Sequence, residues 1–372
     1  MRRAIRMPVA LLGWAAFSAA AGAAETKGAS PFKLGTFERQ GRTFLGLVRG
    51  DQAVVDITAA NTALEKGHPA WPKVKPPADM KDLIARYDDL KQRLYAIAAE
   101  PATTRAAYVH ALSTVKVRPP ILQPETMLNA AVNYTEHDAE MAGRPAAPAA
   151  PPAAPGAPPA NPPRSAPGLW ERRADDPRWN PYLFFKPRTA VIADGESIRI
   201  PPGRDQVDWE CELLVVVGRR ASHVPLDRAA DYVFGYSLEN DVSDRGGRGD
   251  SRFGSDWLVG KAHDTFAPQG PFIVPKEFIE DPQKLGIKFS LSGTLMQDSS
   301  TARMTHNVYE LLHYASNILT LQPGDVISTG SPAGVGSARN PPIFMKPGDV
   351  AACTIEGIGT LTNPVAAAEA GR

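Results

Sequence analysis

Three carboxylate side chains alternate along one short stretch of the sequence, at Asp208, Glu210 and Glu212. The residues that follow, 213–218, are leucine and β-branched residues closed by a glycine, which predicts a buried strand. Because successive side chains of a strand point to opposite faces, the three carboxylates are expected to share one face. Positions on the same face lie roughly 6–7 Å apart, so two acidic side chains can reach one small ligand. Such grouped anions need a proton, a basic side chain or a bound cation beside them, unless they form the solvated face of an edge strand.

A second chemical signal is a histidine and a glutamate three positions apart, His137 and Glu140. On a helical turn such residues are neighbours. Glu140 can therefore orient the His137 ring so that its free nitrogen accepts a proton from water, which makes a general base for hydrolysis. The alternative is an exposed polar pair without a chemical role.

Composition favours a small-molecule partner. The chain has 372 residues, with 41 Lys and Arg against 40 Asp and Glu, so it has no net field that would attract nucleic acid or an anionic membrane. It has two cysteines, Cys211 and Cys353, and both fall in predicted strands. They are either two buried thiols or one disulfide, and the sequence leaves both alternatives open.

The amino terminus has the features of a secretory signal. Arg2, Arg3 and Arg6 precede an uncharged stretch over residues 7–24, which ends in small residues. We therefore expect a cleaved signal peptide at residues 1–24 and a soluble protein that is exported to the periplasm or secreted. No later segment approaches the uncharged length of a transmembrane helix, so no membrane association is expected after cleavage.

A small α/β accessory domain is predicted at residues 30–118. It begins with three short strands over residues 33–57, which are separated by glycine-containing turns. Apolar residues then recur at helical spacing over residues 80–99, and an alanine-rich second helix is expected over residues 103–113. Pro119 and Pro120 mark the boundary to the remainder of the chain.

The larger domain, residues 119–372, is predicted to be mostly β. A hairpin is expected around the Ser292-Gly293-Thr294 turn, and a helix over residues 308–319 begins at the capping residue Asn307. Strict β–α alternation is absent, which argues against Rossmann and TIM architectures and for an α+β, mainly β fold. Residues 143–168 are almost wholly Pro, Ala and Gly, and we interpret them as an extended insertion at the rim of this domain.

Several motifs together resemble the fumarylacetoacetate hydrolase family. They occur in the order and approximate spacing of that family, and the match covers residues 127–365 apart from the insertion. They are Asn133-Tyr134 with His137 and Glu140, Phe185-Lys186-Pro187, the acidic strand, Asn240-Asp241-Val242-Ser243, Gly260-Lys261, and the loop from Ser328 to Gly336. The resemblance implies a mixed β-sandwich roll as the catalytic domain, and a homodimer.

The resemblance also implies that Glu210, Glu212 and Asp241 bind a divalent cation, with Asp208 outside the ligand set. Three carboxylates without a nearby cysteine or second histidine make an all-oxygen site, which suits Mg²⁺ or Mn²⁺ and also fits Ca²⁺. Three protein ligands leave coordination positions open for water and substrate.

The family pattern extends to residues that contact the substrate. Lys261 is expected to place a positive charge beside an oxyanion or a substrate carboxylate. Arg245 occupies the spacing of a substrate-contacting arginine, although pairing with Asp244 or Asp250 is an alternative. Thr329, with the glycine-rich loop after it, offers a hydroxyl and backbone amides to a carboxylate, and Tyr134 belongs to the substrate-binding set.

Three functions follow from these residues. The first is a metal-dependent hydrolase that cleaves a carbon–carbon bond in acylpyruvate-like or fumarylacetoacetate-like β-diketo acids, in which the cation stabilises enolate charge. The second is a decarboxylase, tautomerase or hydratase of 2-oxo acids at the same metal site. The third is an exported, non-catalytic binding protein that a cation stabilises. The partner in the first two is a small 2-oxo or 1,3-dicarbonyl acid.

Overall fold

The structure is a computed structural model, and it describes residues 30–100, 106–142, 166–170, 176, 178–247 and 254–368. The predicted signal peptide lies outside the described residues, and so does the predicted insertion except for residues 166–168. Among the helices that the structure describes, none has both the length and the apolar character needed to cross a membrane.

The amino-terminal part of the chain forms a small antiparallel sheet with helices packed on it. Its elements are β1 (Lys33–Arg39), β2 (Arg42–Arg49), β3 (Ala53–Asp56), α1 (Ile57–Gly67), α2 (Met80–Ala85), α3 (Tyr87–Ala99), β4 (Val109–Ala111) and β5 (Lys116–Arg118). The predicted helix over residues 80–99 divides at Arg86 into α2 and α3. The helix predicted over residues 103–113 is wrong, because β4 lies in that range and pairs with β3. This pairing gives backbone groups partners, which outweighs the helix preference of alanine.

The remainder of the chain consists mostly of strands. Its elements are β6 (Met127–Ala130), α4 (Thr135–Ala142), β7 (Leu183–Phe185), β8 (Val191–Ile192), β9 (Ile198–Ile200), β10 (Val207–Asp208), β11 (Cys211–Val217), α5 (Ala229–Tyr232), β12 (Val233–Asn240), β13 (Ser243–Asp244), α6 (Trp257–Lys261), β14 (Ala267–Pro275), β15 (Gly286–Leu291), β16 (Thr294–Ser300), α7 (Val308–Ile318), β17 (Val326–Ser328), β18 (Val350–Ile355) and β19 (Gly359–Ala367). The predicted cap and hairpin are confirmed. Asn307 and Glu310 form a capping box at the start of α7, and β15 pairs antiparallel with β16.

One large mixed sheet runs through both parts of the chain. Its strand order is β4-β3-β2-β1-β14-β12-β11-β17-β6-β7, with β5 beside β1 and β8 beside β14. A second sheet has the order β16-β15-β18-β19-β9, and β10 pairs with β13 in a separate ribbon. The predicted α+β, mainly β fold with a mixed sandwich is thereby confirmed. Because β1 is hydrogen-bonded to β14, the accessory part continues the large sheet, and the predicted domain boundary at residues 118–119 stays a prediction.

Strand β11 lies inside the large sheet and is covered on both faces. Cys211 and Leu213 face the second sheet, in a cluster that includes Phe289 of β15. Leu214 and Val216 face the other way, into a cluster built largely by α2 and α3. Glu212 and Glu210 lie two and four positions before Leu214, toward the start of β11. They are therefore beyond the part of this face that α2 and α3 cover. The predicted buried strand is confirmed.

A disulfide bond joins the two sheets. Cys211 of β11 is bonded to Cys353 of β18, with 5.4 Å between their Cα atoms, and neither residue is exposed by more than 1%. The structure therefore selects the bridge from the two alternatives that the sequence leaves open.

Candidate metal centre and active site

Three buried carboxylates form the centre of the candidate site. Oxygens of Glu210, Glu212 and Asp241 lie within 4.8 Å of one another. Strands β11 and β12 are antiparallel neighbours in which Cys211 is opposite Asn240, and this register brings the residues before and after them together. The backbone N–H of Asp241 donates to the Glu210 carbonyl oxygen at 2.8 Å. Sheet register is therefore what unites carboxylates that are far apart in the sequence.

The carboxylates differ in their electrostatic surroundings. Burial raises the pKa of Glu212 well above its ordinary value, and the negative charges of Asp241 and Glu210 raise it further. Its Oε2 accepts hydrogen bonds from Ser328 Oγ at 2.6 Å and from the Gly330 backbone N–H at 2.9 Å. Glu212 is thus held in place by the loop after β17, but its charge is opposed by its neighbours.

Glu210, unlike Glu212, is surrounded by positively charged side chains. Its burial favours the neutral acid, but the positive charges of Arg245 and Lys261 outweigh burial and, together with His137, hold its pKa well below the usual range. The Lys261 ammonium lies 2.6 Å from Glu210 Oε2 and 2.6 Å from Asp241 Oδ2. Burial alone would lower the pKa of Lys261, but these two carboxylates raise it above its ordinary value. Lys261 therefore lies at the carboxylate cluster, and its predicted contact with an oxyanion or a substrate carboxylate stays a prediction.

Arg245 binds two carboxylates on the other side of the centre. It follows β13, which pairs with β10 and so places it beside Asp208. Its Nε donates to Asp208 Oδ1 at 2.7 Å, and its Nη2 donates to Glu210 Oε1. The sequence leaves open that Arg245 pairs with Asp244. In the structure Asp244 instead forms an ion pair with Arg204. Asp250, the other alternative, lies outside the described residues, and the substrate contact of Arg245 stays a prediction.

The histidine–glutamate pair lies at this centre. His137 and Glu140 project from α4, with 3.1 Å between His137 Nδ1 and Glu140 Oε2. His137 Nε2 lies 4.0 Å from Glu210 Oε1, and the His137 residue is 4% exposed. Glu140 Oε1 also accepts a hydrogen bond from the Gly334 backbone N–H at 3.0 Å. His137 is therefore buried and Glu140 partly buried beside the carboxylates, and the alternative of an exposed polar pair is not what the structure shows.

The predicted substrate-binding residues Tyr134 and Thr329 are buried near Glu212. Burial raises the pKa of Tyr134 well above its ordinary value, with Glu212 contributing its negative charge. Thr329 follows β17, and its backbone N–H donates to the Leu213 carbonyl oxygen at 3.0 Å. The structure brings both residues to the centre. Their contact with a substrate stays a prediction.

Two charged residues of the centre had no role in the sequence analysis. Lys186 is buried and donates to Asp241 Oδ1, and also to the Val242 carbonyl oxygen at 3.2 Å. Glu239 lies in β12, where it accepts hydrogen bonds from Asn129 at 2.6 Å and Gln269 at 2.7 Å. Burial raises the pKa of Glu239 to about 7. A charged residue inside an otherwise buried strand is the sequence signal that could have identified Glu239.

The donor set fits a hard divalent cation. All of its atoms are carboxylate oxygens, which suits Mg²⁺, Mn²⁺ or Ca²⁺. Three carboxylates lie together in a buried centre, where burial first and then the charges of Asp241 and Glu210 raise the pKa of Glu212. A divalent cation between the carboxylates would relieve this repulsion, since a bound ion reverses the local electrostatics.

Fold and site together define a mainly β protein with a buried carboxylate cluster that can hold a divalent cation. The family model for the fumarylacetoacetate (FAA) hydrolase C-terminal domain matches residues 126–366. The chain therefore belongs to the fumarylacetoacetate hydrolase family, and the resemblance inferred from the motifs is confirmed.

Three relatives illustrate the range of activities in this family. The mitochondrial oxaloacetate tautomerase of Xenopus laevis is 34% identical over 267 residues, which cover 72% of this chain and 73% of the relative. Maleylpyruvate hydrolase from Sphingobium sp. SYK-6, solved with manganese(II) and pyruvate, has a TM-score of 0.64 and 26% identity, covering 91% of this chain and 100% of that chain. A 5-carboxymethyl-2-hydroxymuconate delta-isomerase from Mycobacterium smegmatis has a TM-score of 0.61 and 27% identity, covering 91% and 99%. The chain spans 59% to 73% of the length of the first curated relatives that it matches.

These comparisons confirm one prediction and correct another. The predicted divalent cofactor is confirmed, since the buried acidic cluster can hold such an ion and a structural relative contains manganese. The predicted export to the periplasm is wrong, because the curated relatives from frog and rat are mitochondrial proteins. The composition of residues 1–24 is therefore not sufficient to predict export.

Proposed function

We propose that this protein is a metal-dependent keto–enol tautomerase of small 2-oxo dicarboxylic acids of the oxaloacetate type. The observation that carries the proposal is the position of His137 Nε2, 4.0 Å from Glu210 Oε1 at the edge of the carboxylate cluster. One site thus combines a cation-binding cluster with a group that can carry a proton. The 34% identity to an oxaloacetate tautomerase over 72% of the chain supports this choice.

Glu210, Glu212 and Asp241 would hold the cation in this mechanism. When bound, the cation supplies a Lewis acid that stabilises the enolate form of a 2-oxo acid. Lys261 and Arg245 already lie against Glu210, so they add positive charge beside an acid bound at the cluster. Preorganised positive charge in a water-poor site stabilises developing negative charge more effectively than solvent does.

The histidine–glutamate pair would move the proton. Glu140 accepts the N–H of His137 Nδ1, which leaves Nε2 as the proton acceptor on the side of the carboxylate cluster. Nε2 then removes a proton from the carbon next to the oxo group and delivers one to the enolate oxygen. General acid–base groups of this kind contribute about 10²–10⁴-fold to a rate.

The test follows the interconversion of enol and keto oxaloacetate by ultraviolet absorbance. Chelated protein is assayed before and after addition of Mn²⁺ or Mg²⁺, with the same metal concentration without protein as the background rate. We expect metal-dependent catalysis that falls about 10²–10⁴-fold in His137→Asn. The exposed His68, which lies after α1, supplies the matched control His68→Asn, and this variant should keep the full rate. Equal rates for wild type and His137→Asn would refute the proposed proton transfer.

A second candidate is hydrolysis of a carbon–carbon bond in an acylpyruvate-like or fumarylacetoacetate-like acid. Two observations favour it, the His137–Glu140 pair that can activate water and the structural similarity to a maleylpyruvate hydrolase. Release of pyruvate from an acylpyruvate, absent in Glu140→Gln, would establish this reaction. Release of carbon dioxide from oxaloacetate would instead indicate a decarboxylase, and hydration of an unsaturated 2-oxo acid a hydratase.

The non-catalytic alternative makes a different prediction. In that case Mn²⁺ should raise the melting temperature, and no 2-oxo or 1,3-dicarbonyl acid should react. Glu210→Gln should then abolish the rise in melting temperature on addition of Mn²⁺ and have no other effect. The predicted homodimer stays a prediction, which sedimentation velocity tests against the chain mass of 39.9 kDa.

A further inference from the structure

The end of β11 that presents the acidic residues has fewer backbone partners than the rest of the strand. Along its full length, β11 pairs with β12. Strand β17 pairs with β11 only at Leu214, Val215 and Val216. Among the described strands, Cys211 and Glu212 therefore have a ladder partner on one side only. Sheet hydrogen bonding alone holds this end less firmly than the middle of the strand.

On the opposite face of this end of β11, contacts to the second sheet compensate for the missing backbone partners. The Trp209 ring stacks on Phe289 of β15 at a centroid distance of 5.1 Å. The backbone N–H of Cys211 donates to Gln297 Oε1 of β16 at 3.2 Å. Cys211 is covalently joined to Cys353 of β18, the strand that pairs with β15. The second sheet thus holds β11 where the carboxylates project away from it.

We propose that the Cys211–Cys353 disulfide is a positioning element of the metal centre, which holds Glu210 and Glu212 at the spacing that the cation requires. Cys211 is the residue between them and the first residue of β11, and it faces the second sheet while both carboxylates meet at the metal centre, so the bond anchors the chain directly behind them. The proposal rests on the metal centre of the proposed function and extends it to two residues that contact neither cation nor substrate.

Burial of the bond favours a permanent link over a reversible switch. Both cysteines are at most 1% exposed, so a soluble reductant has no access to the sulfur atoms in the folded protein. The bond forms when the two thiols reduce a small-molecule disulfide. That oxidant accepts two electrons and two protons and leaves as two thiols.

The first measurement establishes the bond. Protein unfolded without reductant is treated with an alkylating agent and weighed by mass spectrometry, and we expect no alkylated cysteine. Two alkylated cysteines would overturn the proposal. The second measurement is the Mn²⁺ affinity of folded, chelator-treated protein by titration calorimetry at 25 °C. We expect Cys353→Ala to bind Mn²⁺ about tenfold more weakly, since groups that orient metal ligands typically contribute 10–100-fold.

A matched control separates positioning from general stability. Val217 is buried on the same face of β11 as Cys211 but at the far end of the strand, so Val217→Ala should lower the melting temperature without changing Mn²⁺ affinity. Wild-type protein refolded with dithiothreitol, then freed of it, keeps both thiols without the bond. We expect it to show the weakened affinity of Cys353→Ala, and a second unfolding followed by refolding with a small-molecule disulfide should restore tight binding.

The outcomes distinguish this proposal from the function on which it rests. Equal Mn²⁺ affinity in wild type and Cys353→Ala would overturn the positioning role while leaving the metal centre intact. Equal losses of affinity in Cys353→Ala and Val217→Ala would also overturn it, because the effect would then be one of stability. Absence of Mn²⁺ binding by the wild type would overturn the metal centre itself and the proposal with it.

Discussion

The backbone N–H of Asp241 donates to the carbonyl oxygen of Glu210 at 2.8 Å, just beyond the last paired residues of β11 and β12. This contact ties two acidic residues of the centre to each other through the main chain. The backbone therefore fixes the main-chain separation of the two residues, and Lys261, which donates to both carboxylates, holds their side chains together.

Removal of one acidic ligand should abolish tight metal binding. In Glu210→Gln the side chain keeps its shape but loses its charge, and Lys261 and Arg245 lose a shared partner. We expect Mn²⁺ affinity to fall by more than about 100-fold, since even groups that only orient ligands contribute 10–100-fold. Titration calorimetry measures the loss. Glu280 is exposed and far along the chain from the centre, so Glu280→Gln should bind Mn²⁺ like the wild type.

The Gly334 position should be critical for activity. Gly334 has a φ of +102°, and a Cβ there would lie 2.3 Å from the Met296 carbonyl oxygen. Gly334→Ala should therefore displace the loop and break the hydrogen bond to Glu140, and we expect the turnover number to fall at least tenfold. Gly348 has a similar φ of +99° with open space around it. Gly348→Ala should lose about 1–2 kcal/mol of stability from its backbone conformation and keep its activity, whereas Gly334→Ala should lose more because of the added clash. Full activity of Gly334→Ala would contradict this role of the loop.

Arg245 should not be replaceable by lysine. Its planar guanidinium binds Asp208 and Glu210 together, whereas an ammonium is a single point charge. Arg245→Lys should leave Asp208 with a weakened ion pair and raise the KM for a dicarboxylic substrate about tenfold. Steady-state kinetics with added metal test this. Arg228 forms an exposed pair with Asp231, and Arg228→Lys should leave KM unchanged.

Acidification should destabilise the contact between His306, just before α7, and the segment that carries Trp179. Burial lowers the pKa of His306. Its ring Nε2 lies 2.7 Å from the Trp179 carbonyl oxygen. The charged side chains that face the His306 ring are Arg178, Asp176 and Glu310. A lowered pKa means that the unfolded chain binds the proton more readily, so stability is full above the unfolded pKa of about 6.5 and falls as the pH drops below it.

Urea unfolding at several pH values between 8 and 5 measures this effect. We expect the wild type to lose stability below pH 6.5 with a slope of up to about 1.4 kcal/mol per pH unit from this residue. His306→Gln should show a smaller loss over the same range. Identical pH profiles for the two proteins would exclude His306 as the source.

Local sequence patterns predicted much of the fold. The alternation at Asp208, Glu210 and Glu212 predicts that the three carboxylates share one face of a strand. In the structure the strand is interrupted at residues 209–210, so Asp208 lies in β10 and Glu212 in β11. The cap at Asn307 was predictable, since the residues involved are sequence neighbours. By contrast, β4 was mistaken for helix, because its conformation depends on pairing with β3, which is distant in sequence.

The sequence by itself determined the family, the mainly β class and the acidic strand at the centre of the molecule, because these depend on local periodicity and on motifs whose order is visible in one chain. Only the tertiary structure decided that Cys211 bonds Cys353, that Lys186 and Glu239 belong to the centre, and that Arg245 pairs with Asp208 and Glu210. Those facts depend on strand register and on the stacking of two sheets. Distances between residues remote in sequence are set by packing of the whole chain, and no local pattern records them.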